Sequence, residues 1–344
     1  MNFLTSTASQ MVAAPKGILA ADESTGTLTK RFERLGIEST ADSRRDYREM
    51  LFTTPGLADK TSGVILYDET FHQRTSDGRF FPALLEDLGV LPGIKVDTGA
   101  KALAGRPDET VTEGLDGLRD RLEAYAKLGA RFAKWRAVIT IGPSMPSAYC
   151  IEVNAHALAR YAALAQEAGL VPIVEPEVLM DGDHSIERCY EATRATLLEV
   201  FDQLLRQRVD LRGMLLKPNM VLSGSECPER APPEEVAEMT LTCFKVAVPA
   251  AVPGIVFLSG GQSDDEATRN LDAINRLAAR EGAPWELSFS YGRGLQAAPL
   301  QAWRGRPENV KAAQDAYYHR AKVTAAARQG RYTRDMEKET AAAG

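Results

Sequence analysis

The run VPIVEPE (Val171–Glu177) is apolar at its start, charged at its end and too short for a full helix. Seven further runs share that form. They are GILAADES (Gly17–Ser24), GVILYDET (Gly63–Thr70), GIKVDTG (Gly93–Gly99), FAKWRAV (Phe132–Val138), GMLLKPN (Gly213–Asn219), GIVFLSGG (Gly254–Gly261) and LSFSYGR (Leu287–Arg293). Five begin at glycine, as strands bounded by turn residues often do. Helical periodicity fills the gaps between runs. Leu115, Leu118, Leu122 and Tyr125 form one stripe, with Gly129 as its stop. Ile151, Leu158, Tyr161 and Ala165 precede the fifth run, and Ile186, Cys189, Thr193, Leu197, Phe201 and Leu204 precede the sixth. Ser263 and Glu266 read as a capping box opening a helix through Leu271, Ile274 and Leu277, with Gly282 at its end. A last helix is predicted from Pro307 through Val310, Ala313 and Tyr317 toward Gly330.

Strands that alternate with helices are parallel and joined by crossovers. Eight such units suit a closed (β/α)8 TIM barrel. The predicted organisation is one domain over 1–344, with strands within about 17–293, a C-terminal helix and tail over 307–344, and helical extensions at both ends. An open doubly wound sheet is the alternative, but ADESTGT after the first run is not GxGxxG.

In a barrel the chemistry belongs at the carboxyl ends of the strands. Those ends carry Asp22, Lys95 with Asp97, Lys134 with Arg136, Glu175 with Glu177, Lys217 and Arg293. Each i, i+2 pair shares one face of its strand. A single strand-end charge is normally solvated, and one Lys–Glu pair is commonly structural. Three lysines and four acids arriving from five strands are different, because burying them together is costly without a task. The pattern implies a cationic pocket with carboxylates for proton transfer, serving a phosphorylated substrate. SGGQS (Ser259–Ser263) after the seventh run and YGR (Tyr291–Arg293) after the eighth occupy the positions where barrels frequently hold phosphate.

The 344 residues carry 41 Lys+Arg against 47 Asp+Glu, a net charge of −6, with 44% apolar and 26% charged residues. That is an ordinary globular mix, not a disordered chain, a collagen or a disulfide scaffold. The acidic balance argues against a nucleic-acid partner. Cys150, Cys189, Cys227 and Cys243 form no CxxC, which implies a reducing compartment. The N-terminus shows no signal-peptide pattern, and the uncharged run Val246–Ser263 is broken by Pro249, Pro253, Gly254, Gly260 and Gly261. No membrane association and a cytoplasmic location are expected. His72, His156, His184 and His319 are scattered, DGDH (Asp181–His184) reads as a turn and helix cap, and GxSxG is absent. No metal or cofactor is expected, and the available nucleophile is a lysine.

The stretches KGILAADESTG, GIKVDTG, LDGL, FAKWR, PSA, ARYA, VPIVEPEVL, DGDH, LLKPNMV, FLSGGQS, FSYGR and LQA lie in order from Lys16 to about Tyr332. In these the sequence resembles the class I, Schiff-base fructose-bisphosphate aldolases. The resemblance implies a (β/α)8 barrel, a homotetramer, and reversible cleavage of fructose 1,6-bisphosphate to dihydroxyacetone phosphate and glyceraldehyde 3-phosphate. By the same resemblance Lys217 forms the imine, Glu175 shuttles protons, Glu177 assists it, Lys134 supports the transfers, and Asp22 sits near the C4 hydroxyl. Ser259, Gly260, Gly292 and Arg293 match the C1-phosphate site. Ser24, Thr27 and Lys95 match the C6-phosphate end, with Thr27 in place of the family's serine, and Arg136 matches a charged residue behind the site.

The chemistry explains the residue types. A protonated imine is a better electron sink than a ketone, and only a neutral amine forms it. Free lysine has a pKa of ~10.4, so neutral amine is scarce near pH 7. A neighbouring Lys134 would disfavour a second positive charge at Lys217. Animal members of the family end in a tyrosine implicated in proton exchange, whereas this sequence ends DMEKETAAAG, and that role is not transferred to Tyr332. A phosphosugar isomerase using its lysines only for electrostatics, a transaldolase-like barrel and a non-catalytic scaffold are the competing readings.

Overall fold

The computed structural model describes residues 3–338. Its barrel strands are β1 (Gly17–Ala21), β2 (Thr61–Leu66), β3 (Leu91–Lys95), β4 (Phe132–Ile139), β5 (Val171–Val178), β6 (Leu215–Leu216), β7 (Gly254–Phe257) and β8 (Glu286–Tyr291). They are parallel, each pairs with the next, and β8 returns to β1 through Ile18↔Ser290 and Leu19↔Tyr291. The sheet is therefore closed, and the open-sheet alternative falls. Residues 339–344 of the expected C-terminal tail lie outside the described residues.

Side-chain alternation sorts the strands into an inner and an outer core. On β4, Phe132 faces the barrel interior, while Ala133, Trp135 and Ala137 join the outer core beneath the helices. Trp135 stacks on Tyr161 of the helix Ala148–Glu167, with ring centroids 5.7 Å apart. β2 and β3 begin two residues before the expected Gly63 and Gly93, and these glycines instead have a packing cause. A Cβ on Gly63 would approach the Phe132 ring to 2.9 Å, and one on Gly93 would enter that ring. At the N-terminal end of the barrel the helix Phe3–Met11 acts as a plug. Its Leu4, Ala8 and Met11, with Val12, join Ile18, Ile65, Val171, Ile173, Leu215 and Val256. A Cβ on Gly254 would lie 2.6 Å from Val12. Arg328, at the end of the helix Val310–Arg328, donates to the carbonyls of Val12, Ala13 and Lys16 and so ties both chain ends together.

Several local expectations need correction. GVILYDET is not strand throughout, because Asp68 opens the helix Asp68–His72. In GMLLKPN only two residues join the ladder. The helix predicted from Leu115 starts at Leu118, and the one predicted from Pro307 starts at Val310 after a short 3-10 turn. Ser263 does cap its helix by accepting from the Glu266 N–H, but the Glu266 carboxylate pairs with Arg230 instead of closing a box. DGDH only precedes the cap, which is Ser185. A hairpin, Gly99–Leu103 with Arg106–Glu113, was not anticipated. All four cysteines are free. No helix among the described residues is long and apolar enough to cross a membrane, and within Val246–Ser263 the residues Gly254–Phe257 form β7.

Candidate active site

The carboxyl ends of the strands open into a cavity of about 320 Å³, and every expected site residue lines it. β1 leads directly into Asp22, and Ser24 caps the helix Thr25–Glu33 by accepting from the Thr27 N–H at 3.3 Å. The Ser24 and Thr27 hydroxyls lie 3.1 Å apart. Lys95 is the last residue of β3. Lys134 and Arg136 project from β4, and Glu175 and Glu177 from β5. Lys217 follows β6, its N–H held by the Val174 carbonyl at 2.8 Å.

These groups form a continuous chain of charge. Lys134 Nζ donates to Asp22 Oδ2 at 2.8 Å and lies 2.8 Å from Glu175 Oε2. The other oxygen, Oε1, lies 3.2 Å from Lys217 Nζ. Two lysine side chains, one from β4 and one just after β6, thus meet on one carboxylate. Lys134, Glu175 and Lys217 are each under 5% exposed. Nearer the rim, Arg136 pairs with Glu177, and Lys95 lies 3.7 Å from Asp97.

Burial alone would push Asp22 and Glu175 up, toward their neutral forms. For Asp22 the charges of Lys134, Lys217 and Lys95 outweigh it and hold the carboxyl well below its ordinary range. Glu175 is likewise held low, with Lys134, Lys217 and Arg136 overcoming burial. Lys134 moves the other way: burial would lower it, but Asp22, Glu175 and Asp97 raise it. Asp22 and Glu175 are therefore carboxylates and Lys134 an ammonium near neutral pH.

Opposite this chain the loops after β7 and β8 meet. Arg293, exposed at the start of the helix Arg293–Trp303, donates through Nη2 to the carbonyls of Gln262 at 2.7 Å and Gly260 at 3.1 Å. Gly260 adopts φ +55, which favours glycine, and a Cβ on Gly261 would lie 2.8 Å from Met180 Sδ. The backbone and a guanidinium thus gather at the N-termini of two helices, where anions bind.

Glu23, Arg31, Ser290 and Asp97 also line the cavity but carried no assigned role. Asp97 and Ser290 had a signal, each two residues from an inward-facing position. Arg31 had none, because only the course of the helix Thr25–Glu33 brings it to the rim. Tyr332 is elsewhere: its N–H donates to Asp272 and its hydroxyl to Asp265, both on the helix Asp264–Glu281. A larger cleft of about 870 Å³ lies between that helix and the helix Pro233–Ala247, but no lysine lines it. The smaller cavity holds the reactive groups. Among the described residues no cluster of His, Cys, Asp or Glu could hold a metal ion.

The family model for fructose-bisphosphate aldolase class-I matches residues 3–344. A Xanthomonas campestris protein named "Probable fructose-bisphosphate aldolase class 1" is 58% identical over 96% of this chain and 98% of its own length. Fructose-bisphosphate aldolase 6, cytosolic, of Arabidopsis thaliana is 54% identical over 94% of this chain and 89% of its own. The fructose-bisphosphate aldolase of Plasmodium falciparum, solved in complex with TRAP and a small-molecule inhibitor, superposes with a TM-score of 0.94. It is 46% identical and the match covers 96% of this chain and 95% of that one. Fold and similarity agree, and this chain belongs to the class I fructose-bisphosphate aldolase family.

Proposed function

We infer that the protein is a lyase that reversibly cleaves D-fructose 1,6-bisphosphate to dihydroxyacetone phosphate and D-glyceraldehyde 3-phosphate through an imine on Lys217. The observation that carries this reading is the buried Lys217 amine 3.2 Å from a carboxylate that Lys134 braces from its other side. Glu175, ionised at rest, takes a proton from the Lys217 ammonium. The neutral amine then adds to C2 of the ketose, and one of its N–H protons passes to the new alkoxide oxygen, giving a neutral carbinolamine. Glu175 returns that proton to the carbinolamine oxygen, which leaves as water, and the nitrogen is left as a protonated imine. Glu175 ends the sequence as the carboxylate it began as.

Asp22, kept ionised by Lys134, accepts the C4 hydroxyl proton. The C3–C4 electron pair moves into the imine, giving an enamine and releasing the aldehyde. Protonation at C3 and hydrolysis then free dihydroxyacetone phosphate and restore Lys217. Glu177 with Arg136 holds the rim of the acid cluster. Arg293, Ser259, Gly260 and the Gly292 backbone anchor the C1 phosphate, and Ser24, Thr27 and Lys95 hold the C6 phosphate. Binding energy from both ends keeps the open-chain sugar in reactive geometry.

An isomerase needs no covalent amine and a scaffold needs no turnover, so one experiment separates all three. Borohydride added with dihydroxyacetone phosphate should attach the sugar to Lys217, as peptide mass spectrometry would read. Lys217→Met should abolish both labelling and cleavage. Undiminished cleavage by that variant would refute the assignment. A homotetramer in the cytoplasm completes the reading, on family resemblance, and light scattering tests the assembly. Steady-state rates with fructose 1,6-bisphosphate, fructose 1-phosphate and sedoheptulose 1,7-bisphosphate define the sugar preference.

A further inference from the structure

We propose that Gln296 is a positioning residue that fixes the separation between the two phosphate-binding ends of the site. The proposal rests on the assignment of Arg293 to one phosphate and of Ser24 and Thr27 to the other. Gln296 lies just inside the helix that begins at Arg293, is 1% exposed, and has no part in the reaction. Its Nε2 donates to the Ala20 carbonyl at 2.7 Å and to Glu23 Oε1 at 2.7 Å. Its Oε1 accepts from the Tyr47 hydroxyl at 3.1 Å. The Ala20 carbonyl and the Glu23 carboxylate can only accept, which fixes the orientation of the amide.

One side chain therefore clamps residues on both sides of Asp22 to the helix that carries Arg293. Glu23 passes the restraint onward. Its Oε1 also accepts from Arg31 at 2.6 Å, on the helix that Ser24 caps, and its carbonyl accepts from the buried Arg48 at 2.8 Å. The two loops already run in contact, since a Cβ on Gly292 would lie 3.3 Å from the Ala20 carbonyl. A bisphosphate spans both loops, while a monophosphate engages one. A fixed spacing lets the second phosphate bind without ordering its loop first. Loss of the clamp should thus penalise the bisphosphate selectively, whereas loss of simple packing would affect both sugars alike.

Gln296→Met keeps the volume and removes both donated bonds. The measurement is kcat/KM for fructose 1,6-bisphosphate and for fructose 1-phosphate, with the melting temperature recorded alongside. The ratio of the two should fall about 10- to 100-fold, the upper figure being what a misplacement of about 1 Å can cost, with the monophosphate changing less than about twofold. Tyr47→Phe frees only the far side of the amide and should move the ratio the same way by less. It decides the matter if Gln296→Met does not fold. An unchanged ratio in a folded variant overturns the proposal, whatever its melting temperature. Arg293→Ala in the parent keeps two failures apart. If it leaves the KM for fructose 1-phosphate unaltered, the anchor assignment is wrong and the clamp falls with it. If it raises that KM while the Gln296→Met ratio stays put, the clamp alone is wrong.

Discussion

Replacing Lys134 by Met interrogates the charge chain at its centre. The substitution keeps an unbranched stem in a buried site and removes the ammonium, its charge and its hydrogen-bond donors together. Lys134 Nζ stands 2.8 Å from Asp22 Oδ2 and 2.8 Å from Glu175 Oε2. At an effective dielectric near 20, each contact carries about 6 kcal/mol of Coulomb attraction. Desolvation of the three ions offsets most of that, so the pairs contribute little net stability. Removing the shared cation is another matter, because it takes the nearest counter-charge from two buried carboxylates and leaves Asp22 with Lys217 and Lys95, and Glu175 with Lys217 and Arg136; the loss costs up to about 3–5 kcal/mol. Asp22 and Glu175 would respond by binding protons at higher pH. In the parent both are held below their unfolded values. Their stabilisation is therefore present above about pH 4 and fades as pH falls through the folded values. In Lys134→Met the folded values rise, so less stabilisation is present above about pH 4 and what remains is fully lost at a higher pH than in the parent. The rate should follow in the same direction, since Glu175 must be ionised to take the proton from Lys217. Urea titrations and kcat measured from about pH 4 to 8 read both effects. A variant with the parent's urea midpoint and the parent's acid limb would refute the shared-cation argument.

Arg293→Ala should lower kcat/KM roughly 10- to 150-fold for any sugar carrying the C1 phosphate, the worth of hydrogen bonds to a charged group; steady-state kinetics with fructose 1-phosphate would show it. Gly93→Ala should destabilise the fold by about 1–3 kcal/mol because its methyl meets the Phe132 ring, while activity per folded molecule stays near the parent's. Adding Phe132→Leu should recover part of that loss in urea titrations, and equal losses in the single and double variants would discount the contact.

The barrel could be read from sequence because its strands are apolar blocks with a length and a boundary chemistry. The hairpin Gly99–Leu103/Arg106–Glu113 has neither. Most of its residues are exposed or half-buried, so no buried face imposes a period on them. Its order is borrowed from tertiary partners. The Thr110 and Thr112 hydroxyls donate to the Val138 and Arg136 carbonyls, and the Glu109 carboxylate accepts from Ser147. Likewise, nothing local reveals that the ladder at β6 stops after Leu216. There the Lys217 N–H still donates to the Val174 carbonyl, but the Pro218 carbonyl accepts from the Leu258 N–H on the β7 side. Gly63, Gly93 and Gly254 open three of the apolar runs, but their cause, the Phe132 ring and the N-terminal plug, needed the third dimension.

The same limit explains which features of the site emerged early. Alternation along a strand correctly put Lys134 with Arg136, and Glu175 with Glu177, on one face each. It could not say which cation meets which acid. By backbone register Lys134 lies beside Ile173, and Arg136 beside Glu175. The ion pairs are instead Lys134 with Glu175 and Arg136 with Glu177, each displaced two residues toward the mouth on β5. That offset follows from strand tilt, because a closed barrel levels its inward residues across the axis rather than along the ladder. Its chemical effect is large. Had register governed the contacts, Arg136 would have claimed Glu175, leaving a fixed guanidinium where an ammonium now stands. The tilt instead lowers Lys134 to the depth of Glu175, Lys217 and Asp22 and leaves Arg136 to hold Glu177 nearer the rim. The division between a buried floor of Lys134, Glu175, Lys217 and Asp22 and a rim of Arg136 and Glu177 is thus a consequence of barrel geometry acting on two alternating strands.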